Sequence, residues 1–222
     1  PVLVFFYGGS WRSGNKADYE WLGTALAAQG FVAVVADYRL VPEVVFPAFV
    51  TDCAAATRWV QDSIAQHGGD PERIVLCGHS AGAYNALMLA LAPNYLVETG
   101  VDQHRIRGAI GLAGPYDFLP FDVDATRDAF GSAADPTLTQ PVSFARADAP
   151  PLLLLWGEDD TTVGRRNHES LLRAQRAANG AVEAKTYPGV DHIDILLALS
   201  RPFRGRAPVL DDIASFARRV SA

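Results

Sequence analysis

Six short apolar runs punctuate the chain, at 2–7 (VLVFFY), 31–36 (FVAVVA), 73–77 (RIVLC), 108–113 (GAIGLA), 151–156 (PLLLLW) and 182–187 (VEAKTY), each bounded by Gly, Pro or Asp. Most are apolar on both faces, which is the pattern of strands covered on both sides in a parallel sheet. Helix-period segments fill the intervals. Val50, Cys53, Thr57, Val60 and Ile64 fall at spacings of three and four, on one helical face. Further helices are expected at 18–29, 81–92, 165–179 and 208–220. Strands alternating with helices through right-handed crossovers predict one doubly wound α/β domain over residues 1–222, with its reactive groups at the carboxyl ends of the strands. The stretch 114–150, rich in Pro, Asp and Phe, reads as a loop or small lid inserted over that edge.

Composition excludes several function classes. The 222 residues are 49% apolar and 20% charged, as in globular domains, and the net charge of −6 leaves no basic stripe for nucleic acid. Cys53 and Cys77 lack CxxC spacing and read as small core fillers, so neither a disulfide framework nor a zinc site is expected. The acidic stretch DVDATRD at 122–128 lacks the glycine and terminal glutamate of a calcium loop and reads as a solvated loop; no metal and no cofactor are expected. No apolar run reaches the length of a bilayer span, and PVLVFFYGG has neither the basic leader nor the cleavage site of a signal peptide. A chain whose first residues already read as a buried strand is expected to continue upstream, so the compartment and the oligomeric state stay open, with the cytoplasm favoured.

The chemistry concentrates in CGHSAGA at 77–83. A G-x-S-x-G stretch between a strand and a helix is a nucleophile elbow: the turn is so sharp that Ser80 takes strained backbone angles, and side chains at 78 and 82 would collide with the strand and the helix. Serine becomes nucleophilic only with a base, held in turn by a carboxylate. In this architecture the partners follow in the order Ser, acid, His. LLLLWGEDDTTV places acids just past the fifth strand, Asp160 leading and Asp159 and Glu158 as alternatives. KTYPGVDHIDIL places His192 after the sixth. Among the other histidines, His79 adjoins the serine and should point away from its hydroxyl; His67 lies in a turn, His104 among charges, and His168 on an expected exposed helix. The amide of Ala81 and those of Gly9 and Ser10, in the loop after the first strand, are the candidates for cradling an oxyanion. Trp11, Tyr116 and Phe118, with Phe121 and Phe130, are candidates for lining a substrate pocket. Arg39 and Glu43 read as a pair bracing their turn.

The segments YGGSW, DYRLVPEVVFPA, GHSAGA, GEDDTTV and GVDH together resemble the esterase/lipase branch of the α/β-hydrolases, its hormone-sensitive-lipase-like and feruloyl-esterase-like or kynurenine-formamidase-like members. The resemblance covers nearly the whole chain in the family's order. It implies the α/β-hydrolase fold without two N-terminal edge strands, and hydrolysis of small-molecule esters with short acyl or small aryl groups through an acyl-enzyme. It assigns Ser80 as nucleophile, Asp160 as acid and His192 as base. The alternatives are an aryl-formamidase-type amide hydrolase and a non-catalytic ligand-binding protein on the same fold. Tyr7 stands where that family usually has a histidine bracing the HGGG or HGGxW loop.

Overall fold

In a computed structural model describing residues 1–222, the six runs form one parallel sheet: β1 (Val2–Phe6), β2 (Val32–Ala36), β3 (Ile74–His79), β4 (Ile106–Leu112), β5 (Leu152–Gly157) and β6 (Val182–Tyr187). Their order across the sheet is β2-β1-β3-β4-β5-β6, with registers such as Val4↔Leu76 and Leu76↔Ala109. β1, β3 and β5 are buried throughout, because helices cover both faces, while the edge strands β2 and β6 are partly exposed. The chain leaves β1 toward one edge and returns past it to β3, so the sheet's switch point lies between them. Loops from the carboxyl ends of β1 and β3 diverge there and leave a crevice.

Eight helices follow the strands: α1 (Glu20–Ala27), α2 (Ala48–Ser63), α3 (Ala81–Leu91), α4 (Asn94–Glu98), α5 (Asp124–Phe130), α6 (Arg165–Ala177), α7 (Asp194–Leu197) and α8 (Val209–Val220). None is long and apolar enough to cross a membrane. α3 is buried at every position, wedged between the sheet and α2, which accounts for its nearly unbroken apolar sequence.

Three expectations are corrected. Residues 122–128 are not simply a solvated loop, because Asp124 opens α5; Arg127 pairs with Asp124 one turn away, which favours the helix. Arg39 does not pair with Glu43: its guanidinium makes two bonds to Asp52 on α2, at 2.9 and 2.8 Å, tying the turn to a helix. His168 is only 5% exposed, because the face of α6 turned inward is built from Asn167, His168, Leu171 and Gln175.

Candidate active site

The elbow begins with sterics. A Cβ on Gly78 would lie 2.2 Å from the Gly82 carbonyl oxygen, and one on Gly82 would lie 2.0 Å from that of Phe6 in β1. Only glycine lets β1, β3 and α3 approach this closely. Ser80 therefore turns at φ 54°, ψ −122°, a left-handed conformation costing a non-glycine residue about 1–3 kcal/mol. Its amide donates to Leu112 at the end of β4 and its carbonyl accepts from Tyr84, so the strained residue is fixed at both ends.

Two more loops close over this turn. A Cβ on Gly157 would meet the Val190 carbonyl oxygen at 2.2 Å, and the amides of Glu158 and Asp159 donate to Tyr187 and Val190; the loops after β5 and β6 are thereby zipped together. The result brings Ser80, His192 and Asp160 into one chain of contacts: Ser80 Oγ lies 2.9 Å from His192 Nε2, and His192 Nδ1 lies 2.7 Å from Asp160 Oδ2. Asp160 Oδ1 accepts from the amides of Thr162 and Val163, both at 2.8 Å. A carboxylate holding those donors is an acceptor, so the proton between it and the imidazole sits on Nδ1, and Nε2 is free to accept from the serine. Asp160 is 5% exposed, whereas Asp159 and Glu158 face solvent and Glu158 is engaged by Thr186.

His79 turns from the hydroxyl, as its position in the strand requires. Its Nε2 bonds the His192 carbonyl oxygen at 2.8 Å, and its ring lies 4.8 Å from that of His192. Burial, reinforced by the neighbouring imidazole, depresses its pKa to about 3, so it is a neutral donor clasping the His192 loop to the elbow. Sequence reasoning missed this clasp.

On the other side of the serine runs the loop after β1. Gly8 packs against the elbow, where a Cβ would sit 3.0 Å from Ser80 Cβ. Gly9, Ser10 and Trp11 all have positive φ, at 128°, 55° and 58°, and the Gly9 carbonyl is taken by the amides of Arg12 and Ser13. Tyr7 braces this loop. Its ring stacks between Tyr19 and Tyr38, its phenol donates to Asp37 at 3.2 Å, and its carbonyl accepts from the Tyr38 phenol at 2.7 Å. Burial and the Asp37 charge push the Tyr7 pKa up to about 12, keeping that donor protonated.

A cleft of about 560 Å³ opens above Ser80, bounded by Ser10, Trp11, Ala81, Phe118, Val163 and Arg166 among others. Of the predicted aromatic lining, Trp11 and Phe118 reach it. Tyr116 does not: it is 2% exposed, and its hydroxyl fills the space over Gly111 in β4. Phe130 is fully buried, with Phe121 stacked on it. The cleft's wall at 114–120 is pinned from α6. Asn167 Oδ1 accepts from the amides of Tyr116 and Asp117, both at 2.8 Å, and the Arg166 guanidinium makes two bonds to Asp117 and one to the Leu119 carbonyl. No group of three His, Cys, Asp or Glu side chains is placed to hold a metal ion.

Comparison with known proteins agrees with this architecture. Esterase 2 of Thermogutta terrifontis, solved phosphoramylated by tabun, is 26% identical, with a TM-score of 0.80 covering 99% of this chain and 83% of that one. A carbohydrate esterase from gut microbiota, 21% identical, shares the fold at a TM-score of 0.85, covering 99% of this chain and 85% of its own. In sequence, an isoprenylcysteine alpha-carbonyl methylesterase of Arabidopsis thaliana is 30% identical over 97% of this chain and 55% of its own length. Esterase LipQ of Mycobacterium tuberculosis is 29% identical over 90% of this chain and 52% of its own. The chain thus spans about half the length of the curated relatives it matches. The BD-FAE family pattern matches residues 1–174, from β1 through the first turns of α6, and the chain belongs to that family of α/β-hydrolases.

Proposed function

We propose that the protein is a serine hydrolase of small carboxylic esters, with Ser80 as nucleophile, His192 as base and Asp160 as its orienting acid. The observation that carries this reading is the unbroken hydrogen-bonded chain from Asp160 through His192 to a serine held in a strained turn. Membership in the BD-FAE family and likeness to relatives named as esterases support it.

His192 Nε2 takes the hydroxyl proton as Ser80 Oγ bonds to the acyl carbon. Asp160 steadies the imidazolium, and the carbonyl oxygen, now anionic, settles among the amides of Gly9 or Ser10 and Ala81. None of these three amides has an acceptor within the protein's backbone, and each such donor is worth about 3–4 kcal/mol in the transition state. The imidazolium then protonates the departing alkoxide as the C–O bond breaks. Water enters, gives its proton to His192 and attacks the acyl-enzyme; the proton returns to Ser80 Oγ as the acid leaves. Short acyl or small aryl esters suit the cleft volume of about 560 Å³ and its mixed lining. Esterase 2 of Thermogutta terrifontis, similar to this chain, has been solved with butyrate bound. The segment 114–150 serves as the lid over this site within a single domain.

A fluorophosphonate probe together with p-nitrophenyl esters of increasing acyl length tests the reading. Labelling should fall on Ser80 and vanish in Ser80→Ala, with turnover reduced at least about 10⁴-fold and fastest at acyl chains of two to four carbons. Equal labelling of Ser80→Ala would overturn the assignment. Faster turnover of N-formylkynurenine than of p-nitrophenyl acetate would move the chain to the amide-cleaving class.

A further inference from the structure

The loop that follows β1 holds three consecutive residues in the left-handed region, and Ser10 and Trp11 are not glycine. Such a run persists only where its surroundings over-determine it. The restraint is Trp11. Although it lies in a loop at the cleft's edge, it is 3% exposed: its indole is edge-on to Tyr84 at 5.3 Å and to Phe130 at 4.8 Å, and its carbonyl accepts from Val41. Its only polar side-chain atom, Nε1, donates to Asn85 Oδ1 at 3.3 Å.

Asn85 is the anomaly. It sits in α3, a helix with no charged residue, at 0% exposure, and its Nδ2 meets no oxygen acceptor, only the weakly accepting thiol of Cys53 on α2. A buried amide whose donor meets only a weak acceptor costs stability, and leucine, with the same branching, would carry no such cost. Its placement gives the compensating role. Asn85 lies four residues after Ala81, so the two share one face of α3 on successive turns. Trp11 directly follows Ser10. The Trp11–Asn85 bond therefore joins the two halves of the oxyanion cradle, the loop amides on one side and the Ala81 amide on the other.

We propose that Asn85 is a positioning residue for ester hydrolysis, acting through Trp11 Nε1 to set the separation of the two amide groups that receive the oxyanion. The proposal rests on the esterase reading above. Asn85 makes no hydrogen bond to Ser80 and does not line the cleft, so its effect falls on the transition state more than on ground-state binding.

The test is a double-mutant cycle of Asn85→Leu and Trp11→Phe on p-nitrophenyl butyrate, with inhibition by a trifluoromethyl ketone, which forms a hemiketal oxyanion on the serine. Asn85→Leu should fold with a Tm no lower than the parent, lose about tenfold in kcat and keep KM within about twofold. The ketone should weaken in proportion to kcat. Trp11→Phe, which keeps a ring and removes the donor, should lose about as much, and the double variant no more than either, since both delete one bond. Losses that multiply to about a hundredfold, or single variants with parental kcat, overturn the proposal while leaving the esterase reading intact. A parent that hydrolyses no ester overturns that reading, and this proposal with it.

Discussion

The elbow at 74–91 and the segment at 114–150 meet over the same serine but are held by different forces. Every residue from Ile74 to Leu91 is buried, and the turn's shape follows from glycines against backbone, at approaches near 2 Å for any added Cβ. The 114–150 segment sinks Tyr116, Ala129 and Phe130 into the core, but its stretch beside the cleft and its C-terminal end are held by polar side chains of α6. Asn167 takes the amides at 116 and 117, and Gln175 bonds both the amide and the carbonyl of Arg146. Packing without alternatives fixes the turn that carries Ser80. A wall hung on a few replaceable hydrogen bonds bounds the cleft above it.

Gly82→Ala is the severest way to break this contrast. The new methyl would sit 2.0 Å from the Phe6 carbonyl oxygen and 2.5 Å from that of Tyr7, backbone atoms of the inner strand β1 and of the loop that follows it. Neither can yield without shifting β1 inside the core. The loss should exceed about 4 kcal/mol, visible in urea unfolding or as failure to accumulate folded protein. A Gly82→Ala chain of parental stability would show that the elbow is less rigid than its contacts imply.

Acid sharpens the contrast, because the elbow encloses one histidine and α6, from which the wall hangs, encloses another. His79 in the elbow is depressed to about 3 and His168 on α6 to about 4, in both cases chiefly by burial. An unfolded chain protonates both near 6.5 while the native state does not. Their stabilisation is thus complete above pH 6.5 and is lost as pH falls toward the native values, by up to about 1.4 kcal/mol per pH unit for each. For His79 alone this amounts to about 2 kcal/mol by pH 5. His79→Gln, which keeps a donor for the His192 carbonyl, and His168→Gln should each flatten urea stability against pH between about 6.5 and 4. Below pH 4 only His79→Gln should still differ in slope. An unchanged slope in His79→Gln would mean that His79 takes up protons in the native state.

The same division explains what could be read in advance. Gly78, Ser80 and Gly82 were legible because adjacent residues dictate the turn, and the strands because burial on both faces demands uninterrupted apolar runs. Asp160 and His192 stand just past strands, where a parallel sheet gathers its reactive groups. Illegible were contacts made by polar residues far apart in the chain. The inward face of α6 carries Asn167, His168 and Gln175 around a single leucine, so it resembles a solvated face, and His168 was expected outside. Asn85 was hidden within an apolar helix, its meaning set by Trp11 74 residues away. The aromatic candidates could not be sorted because burying a ring in the core and lining a cleft with it ask for the same side chain. Only the structure puts Tyr116 in the core over Gly111 and leaves Phe118 at the cleft.

Asn167→Ala probes the weaker region with the least damage. Deleting the amide side chain leaves the backbone donors of Tyr116 and Asp117 without their acceptor, but Asn167 and Asp117 line a cleft open to solvent, and water entering the vacated space can replace it. The cost in global stability should therefore be about 1 kcal/mol, near the net worth of an ordinary hydrogen bond. The functional consequence is selective. Arg166 still grips Asp117 and Leu119, so the wall loosens without detaching, whereas the contacts of Ser80, His192 and Asp160 do not involve Asn167. Turnover of p-nitrophenyl acetate should stay within about threefold of the parent, while the ratio of octanoate to acetate turnover rises as the wall gives way to longer chains. A fall in acetate turnover as large as that in octanoate would mean that the two regions are mechanically one, and that α6 supports the reacting groups as firmly as it supports the wall.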